Sequence, residues 1–212
     1  MEGKFSVIAV ISILFAATLA ISPLFCADID SKTLANIQEA YHKELNERAS
    51  YLAFARKADQ EGYTQVASLF RAAARSEERH ARNFTELIRG IMENPNFEPQ
   101  ADIRKPDVKS TRENLEAALK GESSERDTIY PDFTRQAREE NRIYSARAFE
   151  VTIRAETEHA RLFSEALKNM KAWKGGKKNF LVCSVCGYTT PDMTIKKCPV
   201  CSVPRNKIET VN

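Results

Sequence analysis

Two ten-residue phrases, RSEERHARNF at 75–84 and RAETEHARLF at 154–163, each place a glutamate three positions before a histidine: Glu77 with His80, and Glu156 with His159. The chain has three histidines in all, so two of them sit in these matching phrases. The wider windows FRAAARSEERHARNFTEL (70–87) and FEVTIRAETEHARLFSEA (149–166) align without a gap, which marks an internal duplication. Residues three apart on a helix share a face. The repeat therefore constrains the chain to helices that can bring two Glu-His pairs to one place.

Helical periodicity runs over roughly 33–60, 64–91, 111–139 and 142–172. The first two segments are separated by Glu61-Gly62-Tyr63 and the last two by Glu140-Asn141-Arg142, where Gly and Asn suit the left-handed conformation that ends a helix. Between the pairs, NPNFEPQADIRKPDVKS carries three prolines and reads as a long crossover, and Ser110 with Glu113 forms a capping box for the third helix. Two helical hairpins joined by a crossover predict an all-α chain built on a four-helix bundle of the ferritin-like kind.

Polar residues interrupt the apolar stripe of every helix. The second helix runs Val66, Leu69, Ala73, Glu77, His80, Phe84, Leu87, Ile91, and the fourth runs Phe149, Ile153, Glu156, His159, Phe163, Met170. The third runs Leu115, Ala118, Glu122, Glu125, Ile129, Phe133, and the first runs Ile37, Tyr41, Glu44, Tyr51, Ala55. Five facing carboxylates cannot stay ionised in a low-dielectric core unaided. Two divalent cations resolve this, because carboxylates bridge metals and imidazole suits iron. A Glu from each of two helices with Glu-x-x-His from the other two is the known ligand pattern of di-iron carboxylate bundles. His42 reads as a surface histidine.

The chain has 212 residues, 42% of them hydrophobic, enough for one good core and a small second unit. Its 32 basic and 29 acidic residues give a net charge of +3 and are interspersed, so nothing points to nucleic acid. Lys4 precedes an uncharged run, FSVIAVISILFAATLAISPLF, followed by Asp28 and Asp30, the layout of a signal sequence over 1–27. An exported, periplasmic protein is expected, with an uncleaved membrane anchor as the alternative.

The bundle is expected over 28–173, a linker rich in Gly and Lys over 174–179, and a compact tail over 180–212. In the tail, Cys183-x-x-Cys186 and Cys198-x-x-Cys201 stand eleven residues apart. Two such knuckles signal one four-thiolate metal site, and the ligands suit iron or zinc alike.

After its leader, the chain resembles the rubrerythrins, in which a ferritin-like di-iron bundle is followed by a rubredoxin-like domain; GESSERDTIYPDF, AREE and ETEHARLF are similar to that family's motifs. The resemblance implies iron in the tail and Glu44, Glu77, Glu122, Glu125, Glu156 and His159 as ligands of the iron pair. It makes His80 the partner that one iron takes up on reduction in exchange for Glu125. Tyr51 and Tyr130 match tyrosines lining the family's site. It further implies a homodimer, with one subunit's tail near the other's di-iron site.

One residue departs from the family pattern. Three positions after Glu44, where a small residue is usual, stands Glu47. Its spacing leaves two roles open: an added metal ligand, or an edge residue paired with an arginine such as Arg48 or Arg71.

The expected activity is reduction of hydrogen peroxide to water, with electrons from a donor protein entering through the tail. Two rival readings are iron oxidation for storage or detoxification with a structural zinc tail, and a scaffold merely held together by its metals.

Overall fold

The computed structural model describes residues 31–212. The expected signal sequence and the first residues of the expected bundle lie outside the described residues. Four long helical segments form the bundle: α1 (Lys32–Gln60), α2 (Thr64–Ile91), α3 (Thr111–Ser124) continued by α4 (Tyr130–Glu139), and α5 (Ile143–Lys168). The expected turns are present, with Gly62 at φ 78° and Asn141 at φ 57°. Ser110 and Glu113 make the expected capping box.

Two carboxylates outside the stripe stitch the hairpins together. Glu61, just past α1, accepts from the backbone N–H of Thr111 at the start of α3 (2.8 Å). Glu140, just past α4, accepts from those of Lys32 and Thr33 at the start of α1 (3.1 and 3.0 Å). Each occupies a helix N-terminus, where free N–H groups and the helix dipole favour negative charge.

The apolar core is divided. One cluster contains Tyr51, Phe54, Phe70, Leu115, Phe163 and Trp173, and the other contains Ile37, Phe84, Ile88, Tyr130 and Phe149. Along every long helical segment the polar stripe residues fall between these two clusters. The bundle thus carries a buried polar layer sealed by aromatic side chains above and below.

The third segment, expected as one regular helix over 111–139, is interrupted. Residues Glu125–Ile129 form a π-helical turn between α3 and α4, a feature that recurs at functional sites. Its extra residue moves the inward face by one position. Tyr130, Thr134 and Ala137 are buried, whereas Ile129 and Phe133, expected to face inward, are half-buried.

After α5, a 3-10 turn (Met170–Trp173) leads to a three-stranded antiparallel sheet of order β2-β1-β3, formed by β1 (Phe180–Cys183), β2 (Thr189–Thr190) and β3 (Ile208–Val211). Successive strand residues face opposite ways. Phe180 and Val182 join the first bundle cluster, and Leu181 and Cys183 join the cluster around the knuckles. The tail is therefore packed against the bundle, although the linker's composition suggested a loose tether.

Candidate metal centres

Glu44, Glu77, His80, Glu122, Glu125, Glu156 and His159 are all within 1% of complete burial. The structure gathers six of them into two overlapping groups, Glu44, Glu77, His80 and Glu156, and Glu77, Glu122, Glu156 and His159, with ligand atoms in each group within 4.8 Å of one another. Glu77 and Glu156 belong to both and are placed to bridge two ions. Nδ1 of His80 lies 3.4 Å from Glu44, 3.0 Å from Glu77 and 3.0 Å from Glu156. Nδ1 of His159 lies 3.4 Å from Glu77, 3.5 Å from Glu122 and 2.8 Å from Glu156.

These atoms are close without being hydrogen-bonded. Both Nδ1 atoms, both oxygens of Glu77 and Glu156, and one oxygen each of Glu44 and Glu122 have no aligned partner. Buried polar atoms are rarely orphaned. Here they converge on shared points instead of on each other, the arrangement a pair of hard cations requires. Without cations, burial pushes the Glu44 carboxyl up to about 7 and that of Glu77 up to about 8. Burial acts against charging His80 and His159 too, but the surrounding carboxylates outweigh it and raise both.

The outer face of each imidazole fixes its tautomer. Thr189 Oγ1 donates to the Gly187 carbonyl (3.0 Å), so it accepts from His159 Nε2 at 3.2 Å. His80 Nε2 lies 3.1 Å from the Cys186 carbonyl oxygen, which can only accept. With Nε2 keeping its proton, each Nδ1 is the nitrogen left to bind a cation among the carboxylates, the outer-shell arrangement that orients metal-binding histidines.

Both tyrosines singled out from the sequence line this layer. Tyr51 Oη donates to Glu122 (2.6 Å), and Tyr130 Oη donates to Glu44. The pairing is reciprocal between the two hairpins. Tyr51 follows Glu44 by seven residues and Tyr130 follows Glu122 by eight, the additional one supplied by the π-turn.

Glu125 is buried in the layer but belongs to neither group. Its Oε1 lies 3.0 Å from Lys43 Nζ, and the same ammonium lies 2.9 Å from Glu47 Oε1. Glu47 stands outside both groups too, and its partner is Lys43, not an arginine; Arg71 pairs with Asp59. Lys43 was missed in the sequence. The available signal was a lysine next to Glu44 and four residues before Glu47, a spacing that places opposite charges together on a helix.

In the tail, Sγ of Cys183 and Cys201 are 3.6 Å apart and those of Cys186 and Cys198 are 3.5 Å apart. That is far beyond a disulfide bond of about 2 Å and close to the edge, about 3.8 Å, of a tetrahedron with 2.3 Å metal–sulfur bonds. Hydrogen bonds from Cys183 and Cys186 hold the Cys198 thiol far below the ordinary thiol range.

The tail sits directly on the histidines. Besides the Cys186 and Thr189 contacts, Ser76 Oγ donates to the Gly187 carbonyl (2.7 Å) and Asn83 to that of Val185 (2.9 Å). The Arg75 guanidinium grips Glu209 on β3 with Nε at 2.6 Å and a second nitrogen at 3.2 Å. These contacts form within one chain, with Trp173 and Phe180 stacked across the linker and β1 packed on α2.

Comparison with known proteins agrees with this construction. The rubrerythrin family model matches residues 35–167, and that of the rubrerythrin rubredoxin-like domain matches residues 182–209. Rubrerythrin-1 of Clostridium acetobutylicum is 30% identical over 86% of this chain and 95% of its own length. Nigerythrin of Nitratidesulfovibrio vulgaris is 32% identical over 82% of this chain and 84% of its own. The solved structure of fully reduced, all-ferrous nigerythrin superposes with a TM-score of 0.77 at 31% identity, covering 85% of this chain and 90% of that one. A ferritin-like bundle with a di-iron carboxylate site, followed by a rubredoxin-like domain with a four-cysteine metal site, places this chain in the rubrerythrin family.

Proposed function

We propose that the protein reduces hydrogen peroxide to two waters, consuming two electrons and two protons per peroxide, and that the electrons enter through a four-cysteine iron. The observation that carries this reading is the position of His80. Its Nδ1 stands among the carboxylates of the buried layer while its Nε2 meets the Cys186 carbonyl oxygen at 3.1 Å. A single imidazole would thus stand between the two metal centres, a placement suited to passing electrons from one to the other.

A ferrous pair, when bound, supplies one electron per ion and polarises the O–O bond as a Lewis acid. The chain's residues create the conditions. Glu44, Glu77, Glu122, Glu156, His80 and His159 would hold the pair, Glu77 and Glu156 being members of both ligand groups. Tyr51 and Tyr130 orient Glu122 and Glu44. Burial first, and then the adjacent carboxylates, hold both phenols well above their ordinary range, so each keeps its proton at Oη as a hydrogen-bond donor. The aromatic clusters on either side exclude bulk water and strengthen every charge interaction between them.

A four-thiolate iron exchanges one electron at a time, which suits a tail reloaded by an external donor protein. Two chains of a homodimer, the assembly implied by the family, would make the same tail contacts if they exchanged tails across residues 174–179. The test is peroxide turnover with a reduced donor, alongside metal analysis. Cys198→Ser should leave the bundle folded and its iron pair in place, but lose donor-linked turnover. Undiminished turnover in that variant, or in protein whose tail holds only zinc, would overturn the reading.

A further inference from the structure

Lys43 makes an unusual set of contacts. Among the described residues it is the one lysine or arginine that forms an ion pair with any of the seven buried Glu and His of the layer. It reaches inward from α1 beside Glu44, with its side chain 26% exposed, and its ammonium joins the fully buried Glu125 to the partly buried Glu47. The seat is shaped on the other side by α3. An added Cβ at Gly121 would come within 3.0 Å of Glu47 Oε1, so the missing side chain there makes room for that carboxylate.

Glu125 itself is poised between two environments. It is the first residue of the π-turn, its Oε2 has no partner, and beyond Lys43 its Oε1 has only a long contact of 3.5 Å from Tyr130 Oη. Glu122, one turn earlier on the same side of the segment, belongs to an inner group.

We propose that Lys43, braced by Glu47, is a positioning residue that holds the Glu125 carboxylate off the metal pair and thereby sets how readily this fifth glutamate joins the inner ligands. The proposal rests on the di-iron reading of the layer and is independent of peroxide being the substrate. It assigns to Glu47 the role of anchoring the lysine. A carboxylate released from Lys43 would bring added negative charge to the pair, favouring the ferric over the ferrous state.

The test is a redox titration of iron-loaded full-length protein, with no peroxide present. Lys43→Met should lower the midpoint potential of the iron pair and leave that of the four-cysteine iron unchanged, and Lys43→Arg should restore the original value. Lys43→Gln, which keeps a polar head at the surface, guards against a folding failure of the methionine variant. Losing the positive charge lowers the potential by itself, so the comparison that matters is made in the Glu125→Gln background. There the shift caused by Lys43→Met should shrink to a small remainder, because the mobile carboxylate is gone. An equal shift in both backgrounds would show that Lys43 acts only as a nearby charge and would overturn the proposal. So would an unchanged potential, or iron loading that fails in both neutral variants but not in Lys43→Arg. Should the potentials behave as expected while peroxide turnover is absent, the peroxidase reading fails and the role of Lys43 stands.

Discussion

The imidazole of His80 touches both metal centres' surroundings at once: its Nε2 lies 3.1 Å from the carbonyl oxygen of Cys186, and its Nδ1 lies 3.0 Å from a carboxylate oxygen of Glu156. Cys186 belongs to the four-cysteine group, so one peptide group, one hydrogen bond and one ring lie between that group and the buried carboxylates. On the proposed function, electrons from the tail would cross this contact.

This contact can be broken from the tail side. A Cβ at Gly187 would lie 2.3 Å from His80 Nε2 and 2.4 Å from Ser76 Oγ, and Gly187 has φ +78°. Gly187→Ala should push the knuckle off the histidine and slow donor-linked turnover. Retention of the visible spectrum of the four-cysteine iron would separate this effect from collapse of the knuckle. Unimpaired turnover would place the electron path elsewhere.

The tyrosine hydrogen bonds are outer-sphere supports, and their loss should weaken metal holding without abolishing it. Tyr130→Phe removes the donor to Glu44, and Tyr51→Phe removes the donor to Glu122. Each should weaken ferrous binding at the pair by about 10–100-fold, the usual cost of deleting such a support. Competition with a chelator reads this directly, with the tail's iron as the internal reference.

The metal-free bundle should be less stable in mild alkali than in mild acid. Glu44 and Glu77 titrate near 7 and 8 in the folded chain, against an ordinary value of 4.5. Between those limits the folded state binds more protons than the unfolded one, so unfolding becomes easier as pH rises from about 5 to 8. The raised histidines act in the same direction, since what they contribute is present below their ordinary value of 6.5 and lost as pH rises through their folded one. The lowered Glu156 acts oppositely, but only as pH falls below 4.5. Metal binding replaces the protons. Melting of metal-free protein should therefore shift downward from pH 5.5 to pH 8, and metal-loaded protein should show much less of that shift.

The buried polar layer was legible in the sequence because each of its members breaks an apolar stripe of period 3.6, and two of the breaks are duplicated. The four knuckle cysteines were legible from spacing alone. What escaped has physical reasons too. The π-turn at 125–129 has no composition of its own; it is set by where Glu125 and Tyr130 must sit, so the inward face was placed one residue early at Ile129 and Phe133. Docking of the tail depends on Phe180 and Val182 alternating with Leu181 and Cys183 over only four strand residues, too short a pattern to show which face meets the bundle. Lys43 looks like one more helix-surface lysine until Glu125 is seen beneath it.

The central claim is that electrons held in the tail reach peroxide through the buried pair. Mixing all-ferrous protein rapidly and anaerobically with peroxide, while following the visible absorption of the four-cysteine iron, tests it most directly when Glu77→Ala is run beside the intact chain. Glu77 belongs to both ligand groups, so its loss should remove the pair and leave the tail's iron in place. The account predicts that the tail's iron is oxidised as peroxide is consumed in the intact chain and stays reduced over the same time in the variant. Equal oxidation of the tail in both proteins, or none in the intact one, would contradict it.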